Sequence, residues 1–547
     1  MSDSSTSFPG SAPAATNGAV ERKALAKRAG VVGAGTLVSR LLGLVREAVL
    51  AALFSRVQTD AFFLAFTIPN ALRQLFAEGA VSSAVVPVLS ETRAKDGDEA
   101  AQKFFQAVRG LSLTSLLIVT ALGIAFARPL CEVFAAGYHD VPGQFERTVR
   151  LTQWVFPYIF LMGTAALGMA ALNTYRRFTV AAFSPGLLNV AIMAFAFGAP
   201  TMLQSRGYDP TLALAFGALV GGVLQVVAQW PSLAAIGFLR RPTFAFSHPG
   251  VRKVMHRILP MTFGMGVYYI DIALSRRFLS ELGVGAQSYF MWAMRLCDFP
   301  QGIFIMALST AALPSLSALA ASGQRDEVSK TYAYGMRLAM FVAVPATVLF
   351  VALAHPVVVA LFQRGAFDAE ASAQTSRALV AQGLAIWSVA AVRQLVPVFY
   401  SLGNTRTPVI VSALHLVVYI ALAIVLRKHL GHVGVGLAVA GSSFVQMFAL
   451  WAWLRPSLPS LRLREIGSSI GRTLAASLIA GLAAWTLTQW LGMPDGAGWL
   501  RRLVPATFGS ALFCSVFVTS AWIVRSPELL SFAAALRRRL ARFAPSQ

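Results

Sequence analysis

Charge is scarce in this sequence. Asp, Glu, Lys and Arg together make up 13% of its 547 residues, against roughly 25% in an ordinary soluble domain. Acidic residues are scarcer still, 23 against 46 Lys and Arg, and they are scattered. That argues against an enzyme built on an Asp-rich metal site or a nucleophile-base cluster. The three cysteines, Cys131, Cys297 and Cys514, lie too far apart for a metal site or a disulfide framework and read as apolar filler. Of seven histidines only His415 falls within an apolar run, where a packing role is expected.

Apolar residues are plentiful, at 56% with a mean hydropathy of +0.64. They recur in runs of about 20 residues, each long enough to cross a bilayer as a helix. From Ala29 onward about fourteen such runs can be marked, broken by charge clusters and Pro/Gly turns. The expected fold is therefore an all-α polytopic membrane protein. The first stretch, residues 1–28, is Ser/Ala/Gly/Pro-rich, lacks the pattern of a signal peptide, and is expected to be a disordered cytoplasmic tail. A net charge of +23 would point to nucleic acid in a soluble chain. Here the basic residues sit in short loops, and no nucleic-acid partner is expected. About 28 Lys/Arg fall in the tails and even-numbered loops against about 13 in the odd-numbered ones, which orients both termini to the cytoplasm. Arg240, Arg241, Arg252 and Lys253, with Arg537, Arg538 and Arg539, carry most of this asymmetry.

The chain repeats itself. AVVPVLSETRAKDGDEA returns as AALPSLSALAASGQRDEV, setting Pro87 against Pro314 and Ser90 against Ser317, and ALNTYRRFTV returns as LGNTRTPVIV, setting Asn173 against Asn404. The offset corresponds to six spans, an even number, so the halves are expected to be parallel lobes with a site between them. The expected division is an N-terminal lobe over 29–240, a C-terminal lobe over 250–460, two additional helices over 466–525 and a basic tail over 526–547.

Five arginines fall inside spans: Arg40, Arg46, Arg73, Arg295 and Arg393. Each mid-membrane Arg costs about 2.5–3.5 kcal/mol on an insertion scale, so each should face protein or a watery cavity. Glu47, Glu78 and Asp298 lie in the same spans, and Arg295 with Asp298 forms an i,i+3 pair that internal ion pairing would use. Three acids leave a surplus of guanidinium, and guanidinium binds phosphate through a planar fork. An anionic, phosphorylated substrate is expected. On span 1, Arg40, Gly43 and Glu47 share a helix face, whereas Arg46 lies about 120° away at 100° per residue. Reaching one cavity from both faces requires a bend at Gly43 or a helix enclosed on most sides. In span 2, Pro69, Asn70 and Arg73 fall within one turn, a pattern shared by broken helices lining a site and by kinked packing helices.

The runs GTLVSRLLGLVREAVLAALF and TDAFFLAFTIPNALRQLFAEGAVSSAVVPVLSE closely resemble the opening signature of the MurJ/MviN family, the lipid II flippases of bacterial cell-wall synthesis within the multidrug/oligosaccharidyl-lipid/polysaccharide exporter superfamily. FPYIF, ALNTYRRFTVAAFSPGLLNV, RLCDFPQGIFIMALSTAALPSLS, LFQRGAF and FYSLGNTRTPV extend the resemblance over about residues 30–460. It implies fourteen helices, two six-helix lobes around a central cavity plus two C-terminal helices, and transport of undecaprenyl-diphosphate-linked disaccharide-pentapeptide across the inner membrane. Cell-wall synthesis machinery would be a further partner, beside membrane lipids. The family's cavity arginines match Arg40, Arg46, Arg73 and Arg295, and its span-2 entry aspartate matches Asp60. Glu47, Asn70, Glu78 and Asp298 would support or gate the site. This sequence departs from the family pattern at Gln74, Met294 and Asp298, which leaves the local charge more positive. No cofactor is expected. Coupling to membrane potential, Na⁺ or H⁺ is, with Asp271 of span 7 either an ion site or a partner for Arg276 or Arg277. Alternatives are a flippase for another polyprenyl-diphosphate sugar and a cation-coupled drug exporter, which should instead present unpaired acids.

Overall fold

The computed structural model describes residues 14–73, 80–245, 247–264, 266–492 and 498–531, all helices and connecting turns. Among the described residues nine helices are long and apolar enough to cross a membrane. One of them bends back on itself at Gly431 and so accounts for two passes. The spans that fail this apolar criterion, 1, 2, 7 and 8, are the ones carrying Arg40, Arg46, Arg73, Arg276 and Arg295. With them the described residues supply about fourteen candidate passes, in line with the number expected.

Span 1 is Ala14–Leu53. It begins within the stretch expected to be a disordered tail, because residues 19–29 (AVERKALAKRA) are almost all strong helix formers. Span 2 starts as Arg56–Arg73, and its second half is the first arm of Ala80–Ala125. That helix breaks at Gly97, whose φ of 84° only glycine adopts without strain. The arm after the break is span 3, folded back so that Val85 and Leu89 share a cluster with Phe104 and Val108. Gln144–Thr174, Phe178–Gly198 and Leu212–Ala234 are spans 4 to 6. Span 7 comprises Pro249–Gly264 and Gly266–Ser280. Its first half packs on the Ala80–Ala125 hairpin, and its second half packs both on Ala127–Ala135 and Ala136–Asp140 of the N-terminal lobe and on spans 11 and 12. Span 8 joins Ala286–Pro300 to Met306–Ala321 through a π-helical turn, Gln301–Ile305. Arg325–Phe362 is span 9, Ala369–Ser401 is span 10, the arms of Arg406–Leu454 are spans 11 and 12, and Leu463–Leu491 and Trp499–Ile523 are spans 13 and 14.

The left-handed residues at the turns carry the repeat more clearly than the sequence does. Gly97 pairs with Gly323, Gly143 with Gly365, Arg176 with Gly403, Gly207 with Gly431, and Gly237 with Arg462, each close to the repeat offset. Two six-span lobes thus run parallel, and spans 13 and 14 pack together against span 9 outside them.

Candidate functional site: a cationic cavity closed at one end

A cavity of about 900 Å³ lies between the lobes, lined from spans 1, 2, 4, 5, 6, 8, 9, 10 and 14. Arg40, Arg46, Arg73 and Arg295 all line it, with Asn70 and Asp298, and so does the fifth intramembrane arginine, Arg393. Among the described residues the wall therefore carries five arginines and one acidic residue, Asp298. Arg40 and Arg46 both line the cavity without any break at Gly43, while span 5 packs along the helix and Leu37, Leu41 and Val45 keep an exposed face away from the cavity.

Glu47 stands just behind the cavity wall, 2% exposed. Its carboxylate takes the Arg46 guanidinium, and Arg295 approaches the same oxygen at 3.5 Å from the other lobe. One buried acid is thus shared by two arginines. The expected i,i+3 pair of Arg295 with Asp298 does not form. Glu47, cut off from water, draws the long Arg295 side chain across the lobe boundary instead. Arg46 also donates to Asn189 Oδ1 (3.1 Å), and Asn189 in turn donates to the Ser39 carbonyl (3.1 Å), which tethers span 5 to span 1. Arg40 donates to the carbonyl of Asp298 (3.2 Å) rather than pairing with Glu47. Its guanidinium lies against Gly302, where a Cβ would collide with it, so the glycine in the π-turn makes room for the arginine. Arg73 donates through Nε to Asn70 Oδ1 (3.1 Å), one turn back and just past Pro69. Glu78 lies outside the described residues.

Sequence reasoning missed Asn189 as the partner of Arg46 and Gln225, a fully buried amide of span 6 that lines the same cavity. The available signal was an amide within an apolar run, Asn189 alone in span 5 and Gln225 with Gln229 in span 6.

Asp60 lies outside the cavity. At the start of span 2, with no exposure, its carboxylate accepts the backbone N–H groups of Gly285 (2.6 Å) and Ser288 (2.8 Å) and the Ser288 hydroxyl (2.6 Å). These donors are the first turn of span 8, so an acid of one lobe caps a helix of the other, where the helix dipole favours negative charge. Around it Thr59 meets Ser288 (2.7 Å), Arg56 donates to the Tyr289 hydroxyl (3.0 Å) and to Asp368 (2.7 Å), and the Ala366 N–H donates to the Ala52 carbonyl (2.8 Å). The lobes are therefore latched together at this end. The cavity's lining reaches towards the opposite end, to Asn173 and Phe178.

Asp271 is likewise no part of the cavity wall. It lies in the electrostatic reach of Arg276 and Tyr419 inside the C-terminal lobe, whereas Arg277 pairs with Glu281 at 3.3 Å. His415 meets Ser442 at 3.1 Å, the packing role expected of it.

A two-lobed helical bundle with a polar cavity latched at one end defines a multi-pass membrane transporter. The family model described as lipid II flippase MurJ matches residues 49–494, and this chain belongs to that family. Among its relatives, the lipid II flippase MurJ of Burkholderia cenocepacia is 34% identical over 89% of this chain and 95% of its own length. The probable lipid II flippase MurJ of Vibrio cholerae serotype O1 is 32% identical over 86% of this chain and 91% of its own. Among solved structures, a lipid II flippase MurJ in an inward closed conformation matches with a TM-score of 0.71 over 90% of this chain and 98% of that one, at 21% identity. An inward-facing multidrug resistance transporter of the MATE family matches with a TM-score of 0.65 over 78% of this chain and 95% of that one, at 15% identity. These two likenesses bear on the fold alone.

Proposed function

We propose that this protein is a transporter rather than an enzyme, and that it moves lipid II from the cytoplasmic to the outer leaflet of a bacterial inner membrane by alternating access. The observation that carries the reading is the cavity itself, with five arginines and one aspartate on its wall. A diphosphate bears the charge such a wall lacks, and guanidinium forks match its oxygens. Membership of the family supplies the rest of the substrate, a disaccharide-pentapeptide on an undecaprenyl diphosphate. The headgroup enters while the polyprenyl chain remains in lipid, so only the polar part needs a path.

Both termini are cytoplasmic in this reading, which puts the Asp60 latch on the outer side and the state described as open towards the cytoplasm. Arg40, Arg46, Arg73 and Arg295 hold the diphosphate, Glu47 and Asn70 orient them, and Asp60 controls the outer gate. Coupling uses the membrane potential, worth about 2.3 kcal/mol per charge per 100 mV, or an ion taken up near Asp271. The wall offers little to a cationic drug, since its one lining acid lies among arginines.

The test is a flipping assay with purified protein in liposomes, comparing lipid II with a polyprenyl-phosphate sugar of another pathway. Transfer of lipid II alone is expected, and equal transfer of both would overturn the substrate assignment. In cells depleted of their own flippase, Arg46→Ala, Arg73→Ala or Arg295→Ala should abolish complementation at near-normal protein levels. Normal growth with all three replaced would remove the arginines from the mechanism.

A further inference from the structure

A second cationic cavity, of about 630 Å³, opens at the start of span 13, where that helix meets span 9 of the C-terminal lobe. Arg337 of span 9 and Arg462, Arg464 and Arg472 line it, with Glu465 as the one acid. That acid is already engaged. It accepts from Arg462 at 2.7 Å and lies 4.0 Å from Arg337. Two further carboxylates are also engaged: Asp326 lies 3.9 Å from Arg462, and Glu528 is buried against Arg337 (3.4 Å) and takes the hydroxyls of Ser469 and Ser526, both at 2.9 Å. Arg464 and Arg472 have no hydrogen-bond or ion-pair partner among the described residues, and the Nε of Arg472 is buried without one.

Two further features make this arrangement costly without an anion. A 29-residue helix starts here, and its N-terminal end carries partial positive charge that favours acids and disfavours arginines. Arg462, immediately before it, is held in the left-handed region at φ 49°, which costs an L-residue other than glycine or asparagine. Strained residues of this kind gather at ligand clamps.

The helix also shows what kind of anion fits. Following Arg464 at helical spacing come Gly467 and Gly471, both exposed with open space where a side chain would stand, and then the exposed Leu474, Leu478 and Leu482. Charge at the helix end thus runs into a shallow glycine track and an apolar stripe along the bundle surface, the shape of one lipid molecule beside the helix. A soluble phosphate would use the arginines and leave the stripe bare.

We propose that this site binds an anionic phospholipid, its phosphodiester held by Arg464 and Arg472 with Arg337 and Arg462 behind them, and one acyl chain lying over Gly467, Gly471 and Leu474. The proposal needs this helix end to lie at headgroup level in a leaflet and does not depend on lipid II transport.

The experiment is native mass spectrometry of the full-length protein released from micelles doped with dioleoyl phosphatidylglycerol or dioleoyl phosphatidylcholine. The wild type should retain one more phosphatidylglycerol than R464Q/R472Q, with affinity reduced several-fold in that variant, while phosphatidylcholine retention stays equal. R464K/R472K should recover much of the binding. G471L, which keeps every charge and fills the track, should lose it in part. Equal phosphatidylglycerol retention by wild type, R464Q/R472Q and G471L would overturn the proposal. So would displacement of the bound lipid by millimolar inorganic phosphate, which would mark a soluble-anion site. Because retention is read without any flipping, a failed flipping assay leaves this result intact.

Discussion

The lobes meet in two ways. At the latched end a single carboxylate, Asp60, is matched by three donors at hydrogen-bond distance and buried completely. Around the cavity five arginines share one lining aspartate and the single buried acid Glu47 behind the wall. Both regions set charge in a low-dielectric setting, yet one is matched within the protein and the other carries more arginines than acids among the described residues. A matched contact holds a conformation, and a cationic wall attracts an anion.

The largest expected effect comes from unbalancing the satisfied end. Asp60→Ala leaves two backbone N–H groups of span 8 without their acceptor in a buried place, at about 1–3 kcal/mol each. The latch should loosen, and a cysteine placed at Ser288 should become reactive to a membrane-impermeant thiol reagent from outside in that background. Unchanged protection would mean that the surrounding contacts hold the end closed without Asp60.

Next in size is Glu47→Gln, which removes the carboxylate shared by Arg46 and Arg295. Losing one partner of a buried pair costs about 3–5 kcal/mol at most, and here Asn189 still holds Arg46, so the loss should fall below that of the latch. Complementation should fail while folded protein persists, with a melting temperature lowered by a few degrees. A normal melting curve with normal growth would show that the two arginines need no internal counter-charge.

The shape of the charge is tested by lysine. If diphosphate is bound by forks, Arg46→Lys and Arg295→Lys should complement nearly as poorly as alanine, because lysine keeps the charge and loses the fork. Arg40→Lys should keep partial function, since a lysine can also donate to the carbonyl of Asp298. Full activity of all three would reduce the cavity to a positive potential. The smallest effect belongs to Gly302→Ala. The new methyl displaces the flexible end of Arg40 and leaves its charge, so flipping in liposomes should slow several-fold at most. A complete block would give Arg40 a fixed position in the cycle.

Much of this was legible in the sequence. Apolar length fixed the spans, the repeat fixed their parallel halves, and the cost of membrane arginines picked out the cavity wall, because each of these is a property of local composition. Pairing across the cavity was not legible. Span 1 periodicity groups Glu47 with Arg40, and spacing on span 8 groups Asp298 with Arg295. Glu47 instead takes Arg46 and Arg295, since a long guanidinium can reach any buried acid that a fold brings within range. Asn189 went unnoticed because one amide in an apolar run carries no periodic signal. The charged stretch near Gly97 reads as a loop, although its first residues continue the helix up to the glycine.

Span 7 joins the lobes, and it does so with two helices, Pro249–Gly264 and Gly266–Ser280, where a loop would have sufficed. Its first half lies on the Ala80–Ala125 hairpin of one lobe, and its second half lies between Ala127–Ala135 of that lobe and spans 11 and 12 of the other. A slack tether would let each lobe drift independently. A packed link instead ties their positions together, since Arg277 donates to the Glu132 carbonyl of one lobe while the neighbouring Phe278 and Leu279 pack with Tyr419 of the other.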